Sequence, residues 1–323
     1  MISQRDTFIG DLFEIAKNDN DVILISVDMG APTLDRWRSE LPDQFIFAGI
    51  SEQNAINFAA GLSAAGKKVY VYFMACWAAR CFEQIRYSCA MANNPITIIG
   101  NGVGLGYAPA GPAHEPNEDI AYMRSILDIE IISPINTEVV KTLVNLTYKV
   151  PKLRYIRLER KYAQEFDDCY NLSPQNISFL DSGLYPVRLG LSDNHLSSMP
   201  KVALFSSGYM MGRLNNVWEK LINNNIEATL FDMWKIKPIN TEVLNMSLEK
   251  YDFIVTIEEQ TLSGGFGSAI CEVILDHGHR KKVLRLGLPE RYIFENGDRD
   301  YHLDNNGLSS DEIYNSIVEF LEK

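Results

Sequence analysis

The run Gly49-Ile50-Ser51-Glu52-Gln53-Asn54-Ala55-Ile56-Asn57-Phe58-Ala59-Ala60-Gly61-Leu62 decides how the rest of the chain is read. The apolar segment Phe45-Ile46-Phe47-Ala48 leads into it as a strand, and after Ser51 the pattern turns helical. Ala55, Ala59 and Leu62 recur at helical spacing with Ile56 and Ala60 beside them, giving a small, apolar face. Glu52 falls in the first turn of this helix. Taken alone it is an ordinary first-turn acid, because helix N-termini favour negative charge. Small residues also let a ligand or a neighbouring element come close. A carboxylate buried there would be held charged by the helix end and driven neutral by desolvation.

Outward from this stretch, strands alternate with helices. Strands are expected at 22–27, 45–50, 69–74, 96–99, 129–132 and 153–158, with helices at 7–18, 77–91, 118–126 and 137–148. A long glycine-rich loop covers 100–116. From 161 to 200 the chain turns polar and irregular, with room for one strand. The alternation then resumes with strands at 202–207, 228–233, 253–258 and 283–286 and helices at 209–224, 240–248 and 310–322. Such alternation predicts parallel sheets covered on both faces. The expectation is an α/β protein of two doubly wound domains, 1–165 and 200–323, joined by a linker at 166–199.

The composition narrows the function classes. With 323 residues, two domains are the natural prior, and 46% hydrophobic residues are enough for real cores. A net charge of −12 argues against nucleic acid and anionic membranes as partners. The N-terminal residues carry no basic-then-apolar signal, and no apolar run reaches membrane-spanning length. Five cysteines with no Cys-x-x-Cys pair suggest free thiols, hence a cytoplasmic protein. No histidine spacing suggests a metal; His277-x-His279 reads as the end of a surface helix.

Doubly wound sheets bind ligands at the carboxyl ends of their strands. Asp28, Glu52, Trp77 and the loop bearing His114 all fall there. Long loops in compact domains are usually functional, which favours a site role for His114. Asp28 could equally cap a turn, and Trp77 on its own is a core residue. Gly264-Gly265-Phe266-Gly267 suggests a closely packed helix start, since it lacks both the dinucleotide spacing and a P-loop lysine. No Gly-x-Ser-x-Gly nucleophile elbow is present.

These residues, in this order, resemble the thiamine-diphosphate enzymes of the transketolase group. The likeness is strongest to the small subunit of split transketolases, with deoxyxylulose-phosphate synthase and the pyruvate dehydrogenase β subunit as cousins. Gly49-Ile50-Ser51-Glu52-Gln53-Asn54, Phe82-Glu83-Gln84-Ile85-Arg86, Gly104-Leu105-Gly106 with Gly111-Pro112-Ala113-His114, Tyr155-Ile156-Arg157-Leu158, and Thr256-Ile257-Glu258-Glu259 with Gly264-Gly265-Phe266-Gly267 carry it. The resemblance implies that Glu52 hydrogen-bonds the N1′ atom of the cofactor's aminopyrimidine and keeps its own proton to do so. That contact favours the imino tautomer, which deprotonates the thiazolium C2. Trp77 would stack on the pyrimidine, with Phe73 near it in register. Asp28 would lie near the thiazolium, and His114 would touch the hydroxyls of the bound two-carbon fragment.

The departures from the family pattern bear on partner and substrate. The diphosphate- and magnesium-binding domain, with its Gly-Asp-Gly…Asn motif, is absent, and Asn296-Gly297-Asp298 does not replace it. A second subunit would therefore hold the diphosphate and most of the Mg2+ site, giving an α2β2 assembly. Ala110 stands where ordinary transketolases carry an acid, and Gly100 where they carry a phosphate-binding histidine. Arg5, Thr33 and Arg160 remain as anchors for a substrate phosphate. The expected function is the small subunit of a transketolase-like enzyme moving a two-carbon ketol unit between sugars or sugar derivatives, with xylulose 5-phosphate a poor donor. Alternatives are an E1-β-like subunit of a 2-oxoacid dehydrogenase, a decarboxylating transferase like deoxyxylulose-phosphate synthase, and a non-catalytic remnant. Retention of Glu52 and His114 argues against the last.

Overall fold

The computed structural model describes residues 3–160, 182–190 and 200–323. The strands, in chain order, are β1 Val22–Val27, β2 Phe45–Gly49, β3 Lys68–Met74, β4 Ile96–Asn101, β5 Glu130–Ile132, β6 Arg154–Leu158, β7 Tyr185–Arg188, β8 Lys201–Ser206, β9 Glu227–Asp232, β10 Lys235–Lys237, β11 Phe253–Thr261 and β12 Lys282–Leu288. They form two sheets, ordered β10-β5-β6-β4-β3-β1-β2 and β12-β11-β8-β9-β7. Pairing is parallel throughout except at one edge of each sheet, where β10 and β7 run antiparallel. The expected α/β architecture with two mostly parallel sheets is therefore observed.

Both sheets are buried on both faces, which is why their strands read as continuous apolar runs. Successive residues of one strand enter opposite cores. Leu24 and Leu204 belong to one apolar cluster, Ile25 and Phe205 to the other. Each cluster runs from the first sheet into the second, so the two layers share their cores. The described part of the expected linker contains β7, which closes one edge of the second sheet; Asp167, Asp168, Ser197 and Ser198 lie outside the described residues.

Three features differ from the sequence-based expectation. The first is β10. It follows β9 of the second sheet but pairs with β5 of the first, with Lys235 opposite Ile132 and Lys237 opposite Ile131. Lys237 Nζ reinforces this by donating to the Arg124 carbonyl at 2.6 Å. The second is the segment expected as one helix over 77–91. It is a 3-10 turn at Ala75–Cys81, a single α-turn at Phe82–Gln84 and a widened π turn at Ile85–Met91. Such irregular helices are common where a site is built. The third is a pair of unexpected helices at Thr33–Glu40 and Arg299–Asn305, both rich in charged residues. Among the described residues, no helix is long and apolar enough to cross a membrane.

Candidate active site

In the first sheet the strand order reverses between β1 and β3, because the chain leaves β1 for β2 on one side and returns to β3 on the other. Ligands bind outside the carboxyl ends of the strands at such a switch point. Asp28 follows β1, Glu52 follows β2, Trp77 follows β3 and the 100–116 loop follows β4, so the four predicted features share one edge.

Glu52 is placed by a sharp strand-to-helix turn. Gly49 adopts φ +66°, a left-handed conformation that side chains disfavour, and the Ser51 N–H donates back to the Gly49 carbonyl at 2.9 Å. The helix Glu52–Ala64 then buries Glu52, Ala55, Ile56, Ala59 and Ala60 along the predicted face. Glu52 is 2% exposed. Its Oε2 lies 3.1 Å from Arg80 Nη1 yet makes no well-aligned hydrogen bond, and Arg80 itself is 57% exposed. A buried carboxylate oxygen with an unused lone pair is costly in a finished core and ordinary in a binding site. Nothing in the sequence pattern marks Arg80 beyond its position one turn after Trp77.

The turn that carries Trp77 and Arg80 links Glu52 to the loop. Burial pushes the Cys76 thiol up to about 11, with Glu52 and Asp119 both adding negative charge nearby. Trp77 is half-buried at the margin of the apolar cluster. Phe73 is wholly enclosed in that cluster, so Trp77 is the more accessible of the two predicted rings. Asp28 is exposed at the end of β1.

The loop after β4 contains two short turns, Ala108–Ala110 and Pro112–His114, joined by Gly111 at φ +82°. His114 is partly buried, and its Nδ1 is enclosed without a hydrogen-bond partner. The next residue, Glu115, is not singled out by the sequence pattern. It is buried, accepts from Asn117 Nδ2 at 3.4 Å, and desolvation pushes its carboxyl up to about 7. Position 100 explains its own glycine. A Cβ there would lie 2.6 Å from the Tyr155 ring, whose hydroxyl donates to Asp119 Oδ2 at 2.8 Å. Tyr155 fills the space a side chain at 100 would need.

The three predicted phosphate anchors fall in two places. Arg5 Nε donates to Asp6 Oδ1 at 2.8 Å, and Thr33 Oγ1 donates to the same oxygen at 3.2 Å. Arg160 lies over the Tyr107 ring at 4.4 Å. Tyr107 connects them, since its phenol feels both Arg160 and Arg5 and accepts from Asn101 Nδ2 at 2.9 Å. Sequence reasoning did not single out Asn101; a polar residue closing β4 was the available signal.

Gly264-Gly265-Phe266-Gly267 is a packed helix start, as expected. The Glu258 carboxylate accepts from the Phe266 and Gly267 N–H groups at 2.6 and 2.9 Å, taking the place a phosphate would occupy. His277 ends that helix, with its Nδ1 3.0 Å from the Val273 carbonyl. Among the described residues no cluster of His, Cys, Asp or Glu could hold a metal ion.

Comparison with known proteins identifies the family. Residues 2–164 match the transketolase pyrimidine-binding domain and residues 194–313 the transketolase C-terminal domain. The chain is 28% identical to one of the subunits of apulose-4-phosphate transketolase of Phocaeicola vulgatus, over 100% of this chain and 99% of that one. It is 30% identical to 1-deoxy-D-xylulose-5-phosphate synthase of Caldanaerobacter subterraneus subsp. tengcongensis, but spans only 49% of that enzyme's length. Among solved structures, a split-gene transketolase in an inactive β4 tetramer superposes with TM-score 0.82 at 25% identity, over 99% of this chain and 98% of the other. Transketolase from Leishmania mexicana, at 15% identity and TM-score 0.76, shares the fold over 46% of its own length.

Proposed function

The chain belongs to the transketolase family, and from that premise we propose that it is the pyrimidine-binding subunit of a split transketolase-type enzyme. Its reaction would transfer a two-carbon ketol unit between sugars or sugar derivatives. The observation that carries this reading is the buried Oε2 of Glu52, which lacks a hydrogen-bond partner at the carboxyl edge of the first sheet. An aminopyrimidine nitrogen is a fitting partner for such an oxygen. When bound, thiamine diphosphate would supply the carbon nucleophile and electron sink that no side chain offers.

Each chain residue then has a defined task. Glu52 would meet the pyrimidine N1′ from the start of a helix on which Ala55 and Ala59 are fully buried. Trp77 offers a ring to stack on, and Asp28 an acid beside the thiazolium. His114, half-buried in its loop, would meet the substrate hydroxyls. Arg5, Thr33 and Arg160 hold a phosphate, with Tyr107 fixing the Arg160 guanidinium. A second subunit contributes the diphosphate and Mg2+ site, in an α2β2 assembly.

The substrate is expected to depart from the usual pentose phosphates. Gly100 cannot carry the family's phosphate-binding histidine while Tyr155 occupies that space. The relative named for apulose 4-phosphate supports a different ketose phosphate as donor. The test reconstitutes this chain with the subunit carrying the diphosphate-binding domain. Glu52→Gln should slow exchange of the cofactor's C2 proton by about 10²–10⁴-fold, because an amide can hydrogen-bond N1′ but cannot pass its proton. Exchange at the unmodified rate would remove Glu52 from the mechanism. The same pair should use xylulose 5-phosphate poorly against another ketose or an activated sugar from a panel of donors.

A further inference from the structure

The loop bearing His114 is fixed at both ends by one short stretch of the second sheet. At its start, the Leu105 N–H donates to Glu259 Oε1 at 2.9 Å. At its end, Gln260 Nε2 donates to the Pro116 carbonyl at 3.1 Å, and the Thr261 N–H to the Asn117 carbonyl at 2.9 Å. Glu259 is itself held by Arg299, whose Nε donates to Oε1 at 2.7 Å. The remaining guanidinium nitrogens of Arg299 reach Glu159, at the end of the first sheet, at 2.5 and 3.1 Å. The Tyr209 ring lies 3.6 Å from the same guanidinium. Gly104 is matched to this arrangement. It sits at φ +54°, and a Cβ there would come within 2.6 Å of Glu259 Cδ.

Both acids are under a tenth exposed. A buried Arg bridging two carboxylates has little freedom, because the planar fork fixes direction as well as charge. We propose that Glu259 and Arg299, in the C-terminal domain, are positioning residues that set the loop conformation in which His114 meets substrate. This rests on the active-site reading above. It gives the C-terminal domain a task in catalysis although it contributes no group to the reacting atoms.

The test approaches the tie from both sides in the reconstituted pair. Gly104→Ala drives the loop off Glu259, while Glu259→Gln and Arg299→Lys weaken the holder but keep hydrogen-bonding groups in place. Amide hydrogen exchange and steady-state kinetics are read together. All three variants should speed exchange across 102–117 while the β1, β3 and β8 amides stay protected. KM for the ketose donor should rise by roughly tenfold to a hundredfold, the size of one lost hydrogen bond to a charged group. Affinity for thiamine diphosphate should stay as in the unmodified pair. A lower unfolding temperature with unchanged loop exchange and unchanged KM would overturn the proposal, leaving only a structural ion pair. Faster loop exchange with unchanged KM would overturn it too. The exchange arm is read with or without turnover, and Glu52→Gln in parallel reports separately on the active-site reading.

Discussion

At the scale of single residues, the site is marked by polar groups that the fold buries without satisfying. Glu52 Oε2 and His114 Nδ1 both lack a well-aligned hydrogen bond, Glu52 facing only the Arg80 guanidinium, and Glu115 Oε1, next to His114 in the chain, is enclosed in the same way. Such groups cost free energy in the isolated chain, and ligand binding is what would repay it. Glu115 makes the cost measurable. Its carboxyl is pushed up to about 7 from an ordinary 4.5, chiefly by desolvation, with Glu259 adding to the shift. An acid raised on folding costs nothing while both states are protonated. Its penalty grows as pH climbs from about 4.5 to about 7 and is complete above that. Glu115→Gln keeps the shape and cannot ionise. The variant should therefore match the unmodified chain below pH 4.5 and exceed it in stability above pH 7, by on the order of 1–3 kcal/mol. Denaturant titrations across that range check this. Parallel stability curves would mean that Glu115 is better solvated than its surroundings indicate.

At the scale of elements, the C-terminal sheet is less an appendage than a brace. Glu258 and Glu259, adjacent in β11, face different tasks. Glu258 caps the helix Phe266–Asp276, and Glu259 ties the 100–116 loop. Glu258→Ala leaves two buried N–H donors without an acceptor, and each such donor typically costs about 1–3 kcal/mol. The expected result is a cooperative loss of at least that size in a denaturant midpoint, with the 100–116 loop no more exposed to exchange than before. A variant as stable as the parent would show that the helix start recruits another acceptor.

The elements also show what could be read in advance. Long strands buried on both faces, such as Val22–Val27, announce themselves by apolar runs, and the Glu52 helix by its spacing of small residues. Lys235-Ile236-Lys237 does not. Three residues carry no period, and the choice between the two sheets is made by Ile131 and Ile132, far away in the chain. The helix Arg299–Asn305 is polar on most sides and is held by Arg213 and Glu259 contacts, so its amphipathic signal is weak. The same reason hid Glu259 and Arg299 as site-building residues. Their meaning lies in partners at 105 and 159, and no local pattern records that. That Glu52, Trp77 and His114 fall at strand ends was legible because each follows a recognisable strand, whereas the roles proposed for them came from the family resemblance.

At the scale of the whole molecule, the proposed function makes the chain one half of a larger site. It presents a carboxylate, an aromatic ring and a histidine along one sheet edge, and among its described residues no cluster that could hold a metal. It spans nearly all of the related apulose-4-phosphate transketolase subunit but about half of the single-chain synthases it matches. On the proposed reading, a partner chain supplies diphosphate and Mg2+ binding. The most direct measurement is titration calorimetry of thiamine diphosphate with Mg2+ into the purified chain, and into the chain combined with its diphosphate-binding partner. Weak or undetectable heat of binding for the chain alone, with tight binding by the pair, is the predicted result; tight, Mg2+-dependent binding by this chain alone would contradict the account.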